Sequence, residues 1–172
     1  AEDLLIRGLE IAEKVLGVEH QDIAIIVNHL ATVYGEQKLY EKAEPLYLRA
    51  LAISEKALDS EDLTKADHAS NLGWLYVNQG LYEKAQPFFL RALEIKEKAL
   101  GADHPDTAVF LEDLGWLYNK QGLHEKADPL LLRALAIREK ALGADHPDTA
   151  TSLNDLGELY FDLGLYEKAE PL

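Results

Sequence analysis

Asp103-His104-Pro105-Asp106-Thr107 sets two carboxylates and an imidazole close together, and the same five residues return at 145–149. Carboxylate and imidazole are metal-ligand types. The spacing fits another purpose better. Asp or His ahead of a proline, with Asp behind it, opens a helix. It supplies a polar cap, a proline in the first turn and an acid at the positive end of the helix dipole. Gly101 and Gly143 stand where the preceding helix would stop. Packed helices lie ~8–10 Å apart, so copies on successive helix starts do not readily share one ion. Helix capping is the expected role, and no metal or other cofactor is expected. Ser54, Ser60, Ser70 and Ser152 lack a nucleophile-elbow context, and no glycine-rich phosphate loop follows a strand. With 31 Asp and Glu residues, neighbouring carboxylates arise by chance. No catalytic residue stands out, and an enzyme is not expected.

Composition narrows the partners. The 172 residues are 48% hydrophobic and 28% charged, with a net charge of −14. Nucleic acid phosphates need Lys and Arg, so a nucleic acid partner is not expected, nor an anionic membrane surface. There is no cysteine, which removes disulfides and thiolate metal sites. No apolar run approaches the ~20 residues of a membrane helix, and no signal-peptide pattern opens the chain. A cytoplasmic location is the expectation. There is also no methionine, which reads as a piece of a longer protein.

The helix starts belong to a larger regularity. Glu97-Lys98-Ala99-Leu100-Gly101 through Thr107 is repeated verbatim from Glu139, 42 residues on. Tyr40-Glu41-Lys42-Ala43-Glu44-Pro45-Leu46 recurs at the same step from Tyr82, His124 and Tyr166 with small changes. A fixed period in this range signals a solenoid, in which each unit buries its apolar face on its neighbours. Ala108, Leu111, Leu114, Gly115, Leu117 and Tyr118 share one helical face. Each unit therefore reads as two helices. First-type (A) helices are expected near 22–37, 64–79, 106–121 and 148–163, and second-type (B) helices near 1–16, 40–58, 82–100 and 124–142. Gly80, Gly122 and Gly164 fill the A-to-B turns, where Lys38 stands in the first unit. Pro45, Pro87, Pro129 and Pro171 fall early in the B helices, where a first-turn proline is tolerated. A B helix starting nearer Tyr40 would put Pro45 just past that turn and bend the helix slightly. The connector Asp59-Ser60-Glu61-Asp62-Leu63-Thr64 lacks the glycine and the proline and is expected to be the most irregular.

Leu-Gly-x-Leu-Tyr at 72–76, 114–118 and 156–160, Gly-x-Tyr/His-Glu-Lys-Ala, and Arg-Ala-Leu at 49–51, 91–93 and 133–135 together resemble the tetratricopeptide repeat family. The long unit is similar to the repeats of kinesin light chains and their bacterial relatives. The resemblance covers essentially the whole chain. It implies an all-α, right-handed α-solenoid of antiparallel helix pairs. The division is an orphan B helix and connector at 1–21, repeats at 22–63, 64–105 and 106–147, and a truncated repeat at 148–172. It also implies a protein–protein interaction scaffold with a concave groove, used as an adaptor or as the sensor arm of a signalling protein.

The copies differ where that groove would lie. Between 97–130 and 139–172, seven differences fall in the A helix: Val109/Thr151, Phe110/Ser152, Glu112/Asn154, Trp116/Glu158, Asn119/Phe161, Lys120/Asp162 and Gln121/Leu163. Five of these pairs occupy positions that line the concave groove in the resembled family, and their spacing traces one helix face. The expected peptide-binding residues are Asn28, Thr32, Asp67, Ser70, Trp74, Asn78, Glu112, Trp116, Asn119, Lys120, Asn154, Glu158 and Phe161. Trp74 and Trp116 are the expected anchors, on a face partly open to solvent. Lys120 is the face's one basic residue, so the expected partner is a protein or peptide with basic and apolar side chains, held in extended or helical form.

The remaining periodic residues have structural roles. Tyr34, Tyr76, Tyr118 and Tyr160 are expected in the core, and Arg49, Arg91 and Arg133 in surface pairs with Glu of the B helices. Neither end reads as a polar cap. The face of 148–163 is expected to expose Leu153, Leu156 and Tyr160, and an orphan B helix of another molecule could cover them head-to-tail. The alternative function is accordingly a structural spacer or self-assembling array.

Overall fold

The computed structural model describes residues 2–56 and 63–170. Among them run α1 (Glu2–Leu16), α2 (Gln21–Glu36), α3 (Tyr40–Lys56), α4 (Thr64–Val77), α5 (Tyr82–Leu100), α6 (Pro105–Lys120), α7 (His124–Leu142), α8 (Pro147–Asp162) and the short α9 (Tyr166–Ala169). The chain forms two compact units, 1–88 and 89–172, with the boundary inside α5. In the first, α1 packs on α2, α2 on α3 and α3 on α4. Its core joins Ile23, Ala24, Val27, Ala50 and Ile53, with Leu9, Ala12 and Leu46 packed against them. In the second, α6 packs on α7, α7 on α8 and α8 on α9. Leu111, Leu114, Leu117, Leu131, Leu156 and Leu159 are buried there.

The repeated motifs are the joints of this packing. At each of three A-helix starts a histidine is the cap: Nδ1 of His20, His104 and His146 accepts the N–H of Asp22, Asp106 and Asp148 at 3.2, 3.1 and 3.1 Å. The proline follows at the first helical position of α6 and α8. Buried Thr107 and Thr149 then donate back to the carbonyls of Gly101 and Gly143 at 3.0 and 2.8 Å. Imidazole, glycine and threonine thus close the connector on itself. The irregular connector expected at 59–64 lies outside the described residues as far as Asp62. From Leu63, α4 begins with no side-chain cap. Each A helix ends in a Schellman turn: the N–H of Leu39, Leu81, Leu123 and Leu165 reaches the carbonyl of Tyr34, Tyr76, Tyr118 and Tyr160. Lys38 holds the left-handed place there with φ 59°, a conformation that costs a non-glycine residue.

Tyr-Glu-Lys-Ala is likewise a packing device. Lys42, Lys84, Lys126 and Lys168 set their ammonium groups 5.0–5.6 Å from the ring centroids of Tyr34, Tyr76, Tyr118 and Tyr160. The acid two residues on serves the next repeat, since the Tyr76 hydroxyl donates to Glu44 at 2.6 Å. Burial, and then that carboxylate, push the Tyr76 phenol up to about 12. Tyr34, Tyr76 and Tyr118 are buried, and Tyr160 is half-buried. Arg49 pairs with Glu13 at 2.6 Å and Arg133 with Glu97 at 2.7 Å. Each also donates to a connector carbonyl, of Val18 and Ala102, so the arginine ties the connector down as well as pairing with a glutamate.

The B helices begin at Tyr40, Tyr82 and His124, as expected, so Pro45, Pro87 and Pro129 lie inside them, past the first turn. Each therefore omits one helical hydrogen bond. One expectation changes: Leu156 is buried, because α8 already packs against α6 and α7; Leu153 and Tyr160 are only half-buried. The close approach of α6 to α7 depends on Gly115, where a Cβ would lie 2.7 Å from the buried Leu131 side chain.

Candidate functional site

The thirteen sequence-selected residues fall into two groups, one in each unit. In the first unit α2 and α4 stand side by side. Trp74 is half-buried and borders a hollow of about 240 Å³ lined also by Thr32, Glu36, Tyr47, Asn71 and Asn78. Its polar wall is wired in advance. Tyr47 donates to Thr32 Oγ1 at 2.9 Å, Thr32 donates to the Asn28 carbonyl at 3.0 Å, and Asn71 Nδ2 donates to Asn28 Oδ1 at 3.1 Å. The exposed Asn78 offers its side chain at the rim, while its carbonyl takes the Tyr40 hydroxyl at 3.2 Å. Asp67 is exposed and lies outside this lining. Asn28 and Ser70, expected on an open face, are buried. Asn28 holds Asn71 through its side-chain oxygen and Thr32 through its carbonyl.

In the second unit α6 and α8 carry the equivalent residues. Trp116 is half-buried. The Lys120 ammonium lies 5.4 Å from its ring centroid and 2.5 Å from Glu158 Oε1. Asn154 and Phe161 are exposed; Phe161 meets Tyr166 edge-on, with centroids 5.5 Å apart. These two rings, Leu153, Asn154 and Glu158 line a hollow of about 880 Å³. Asn119 departs from expectation. It is buried, donates to Asp162 Oδ2 at 2.8 Å and accepts from His124 Nδ1 at 2.9 Å, so it braces α6 against its neighbours.

Glu112 departs furthest. It is buried, and its carboxylate pairs with Arg138 Nη2 of α7 at 2.7 Å and accepts the Ser152 hydroxyl of α8. Arg138 also donates to the Asp148 carbonyl. Burial pushes the Glu112 carboxyl up to about 7, against the pull of Ser152 and Arg138. Asp155, beside Arg138, is raised as well, first by burial and then by Glu158. A carboxyl with a raised pKa holds its proton longer in the folded protein, so stability falls as pH rises from the unfolded value of about 4.5 through 7. Glu112→Gln keeps an acceptor for Ser152 and removes this titration. Relative to the variant, the parent should lose on the order of 3 kcal/mol between pH 4 and pH 8. Urea unfolding at both pH values measures it, and a parent-minus-variant difference that does not change with pH would refute the assignment.

The sequence pattern of tetratricopeptide repeats matches the chain in four overlapping stretches, 1–56, 22–98, 64–140 and 117–172. The chain belongs to the tetratricopeptide repeat family. Among solved structures, it is similar to BtubC (BKLC) from P. vanneervenii, at 27% identity and TM-score 0.87, over 99% of this chain and 68% of that one. A putative kinesin light chain from Podosopora anserina with nearly identical repeats matches at 26% identity and TM-score 0.85, over 99% and 80%. A Rap protein complexed with competence and sporulation factor shares the fold alone, at 18% identity and TM-score 0.69, over 98% and 55%. No curated protein matches. These likenesses place the fold in the tetratricopeptide α-solenoid class, and such repeats are protein-interaction scaffolds. Among the described residues no helix is long and apolar enough to cross a membrane.

Within this tetratricopeptide chain, sequence reasoning missed the residues that join successive repeats. Positions 12, 54, 96 and 138 of the B helices are Ala, Ser, Lys and Arg at the 42-residue step. Ser54 Oγ lies 2.6 Å from His68 Nδ1 and 2.8 Å from the Ala50 carbonyl, within hydrogen-bond reach of both. The Lys96 ammonium lies 4.9 Å from the Phe110 centroid. Arg138 meets Glu112. Each of these joints buries a different pair.

Proposed function

We propose that the A-helix faces carrying Trp74 in the first unit and Trp116 in the second bind extended or helical segments of a partner protein with apolar and basic side chains. The observation that carries this reading is the pair of half-buried tryptophans at equivalent places in two successive repeats. The corresponding residues of the other copies are Thr32 and Glu158, so the indole marks these two repeats alone. Aromatic anchors ringed by Asn, Asp and Glu suit a peptide that presents both an apolar surface and a cation. The acidic net charge supports the same sign of partner. A Rap protein of the same fold is complexed with competence and sporulation factor. Selection from a random displayed-peptide library tests it: enrichment should converge on Arg or Lys beside Leu, Ile or Phe. An acidic consensus, or no consensus, counts against it.

A second reading, head-to-tail self-association, is favoured by exposed apolar residues. α1 exposes Leu4, Ile11 and Val15 at 76, 55 and 75%, and α8–α9 carry the hollow beside Phe161 and Tyr166. If α1 of one copy docks there on another, the mass seen by light scattering rises with concentration. A monomer at every concentration up to the millimolar range removes this reading.

A further inference from the structure

Lys120 is the only basic residue among the thirteen, and it sits on the second unit's anchor. Its ammonium lies over the Trp116 ring at 5.4 Å and against Glu158 at 2.5 Å. An indole face and a carboxylate converging on one point make a cation seat: the ring supplies its quadrupole and the carboxylate a charge-assisted hydrogen bond. The seat is filled by a residue of the same helix, four positions after the tryptophan. Its hold is weak. The Lys120 and Glu158 side chains are 31% and 38% exposed, and an ion pair so open to water contributes little. A flexible four-carbon stem lets the ammonium leave for solvent. Guanidinium suits the vacated place better, because it stacks on an indole and forks onto a carboxylate at once. Beyond the seat lie Leu153 and Phe161, apolar surface for the residues flanking such a cation.

We propose that Trp116 and Glu158 form a recognition seat for an arginine of the partner segment, and that Lys120 is a resident competitor displaced when the partner binds. This rests on the peptide-binding reading above and assigns one contact within it. The first unit carries Asn78, not lysine, four residues after Trp74. Lys120 therefore sets a threshold specific to the second unit: a segment with a strong cation displaces it, and one without does not.

The test uses Trp74→Phe as background, so that Trp116 is the one indole of the two in the chain that reports. Its fluorescence is titrated with blocked Leu-Arg-Leu, Leu-Gln-Leu and Leu-Glu-Leu tripeptides. The Arg peptide should bind best. Lys120→Ala should strengthen its binding about threefold to tenfold, and Glu158→Gln should weaken it about tenfold or more. Circular dichroism should be the same in all variants. If Lys120→Ala leaves the Arg peptide unchanged, the competitor role is wrong. If the Glu peptide binds best and Lys120→Ala abolishes it, Lys120 is a ligand for carboxylates and the proposal is overturned. No response to any tripeptide also overturns it. The broader reading fails separately: library-selected peptides that carry Arg or Lys and require the tryptophans, yet are indifferent to Lys120→Ala and Glu158→Gln, would leave it standing while this seat falls.

Discussion

Replacing Arg138 with methionine is expected to cost about 3–5 kcal/mol at pH 9, where Glu112 is ionised in the parent, the scale for removing one partner of a buried ion pair. Its guanidinium lies 2.7 Å from Glu112, with both side chains under a tenth exposed, and it also donates to the Asp148 carbonyl. Without it, Glu112 and Asp155 lose the positive charge that opposes their burial, and the start of α8 loses a donor. The damage is specific to the junction of α6, α7 and α8. The triple variant Arg138→Met, Glu112→Leu, Ser152→Ala should recover most of the loss, since packed apolar side chains replace such pairs without penalty. The single variant should cost less at pH 5, where Glu112 carries its proton. Urea unfolding followed by circular dichroism measures both. A single variant within about 0.5 kcal/mol of the parent would mean the pair is not buried as described.

The second large effect concerns binding. Trp74→Ala with Trp116→Ala should weaken a library-selected peptide about 100-fold or more, since buried aromatic anchors commonly contribute 2 kcal/mol or more each. Folding should be spared. Both tryptophans are only half-buried, while the core beneath them, Leu72, Leu75, Leu114 and Leu117, is untouched. An effect on binding with an unchanged helical spectrum is what separates an anchor from a core filler.

The fold was legible because nearly every joint repeats. His104-Pro105-Asp106-Thr107 reads as a helix start from cap, proline and dipole alone, and it is one. Gly80 and Gly122 announce left-handed turns and take φ 73°. Which carboxylate meets Tyr76 was not legible, because Glu44 belongs to the preceding repeat and only packing brings it there. The site was less legible still. Differences between copies had been expected to mark a ligand face, but two kinds of residue escape repetition. Trp116 and Lys120 lie where a ligand can reach them. Glu112 and Ser152 differ from Ser70 and Phe110 because they must suit Arg138, buried in the next helix. A local helical face cannot separate the two kinds. Comparing B helices at the same 42-residue step could have: Ser54, Lys96 and Arg138 each follow a buried isoleucine, Ile53, Ile95 and Ile137. A charge next to a buried aliphatic, changing from copy to copy, signals a buried polar partner.

Calorimetric titration of a library-selected peptide into the parent and into the Trp74→Ala, Trp116→Ala double variant bears most directly on the A-helix face as the binding surface. The predicted result is binding to the parent and a loss of about 100-fold or more in the variant, with the same circular dichroism. Equal affinity for both proteins would contradict the account and move the binding surface away from the tryptophans.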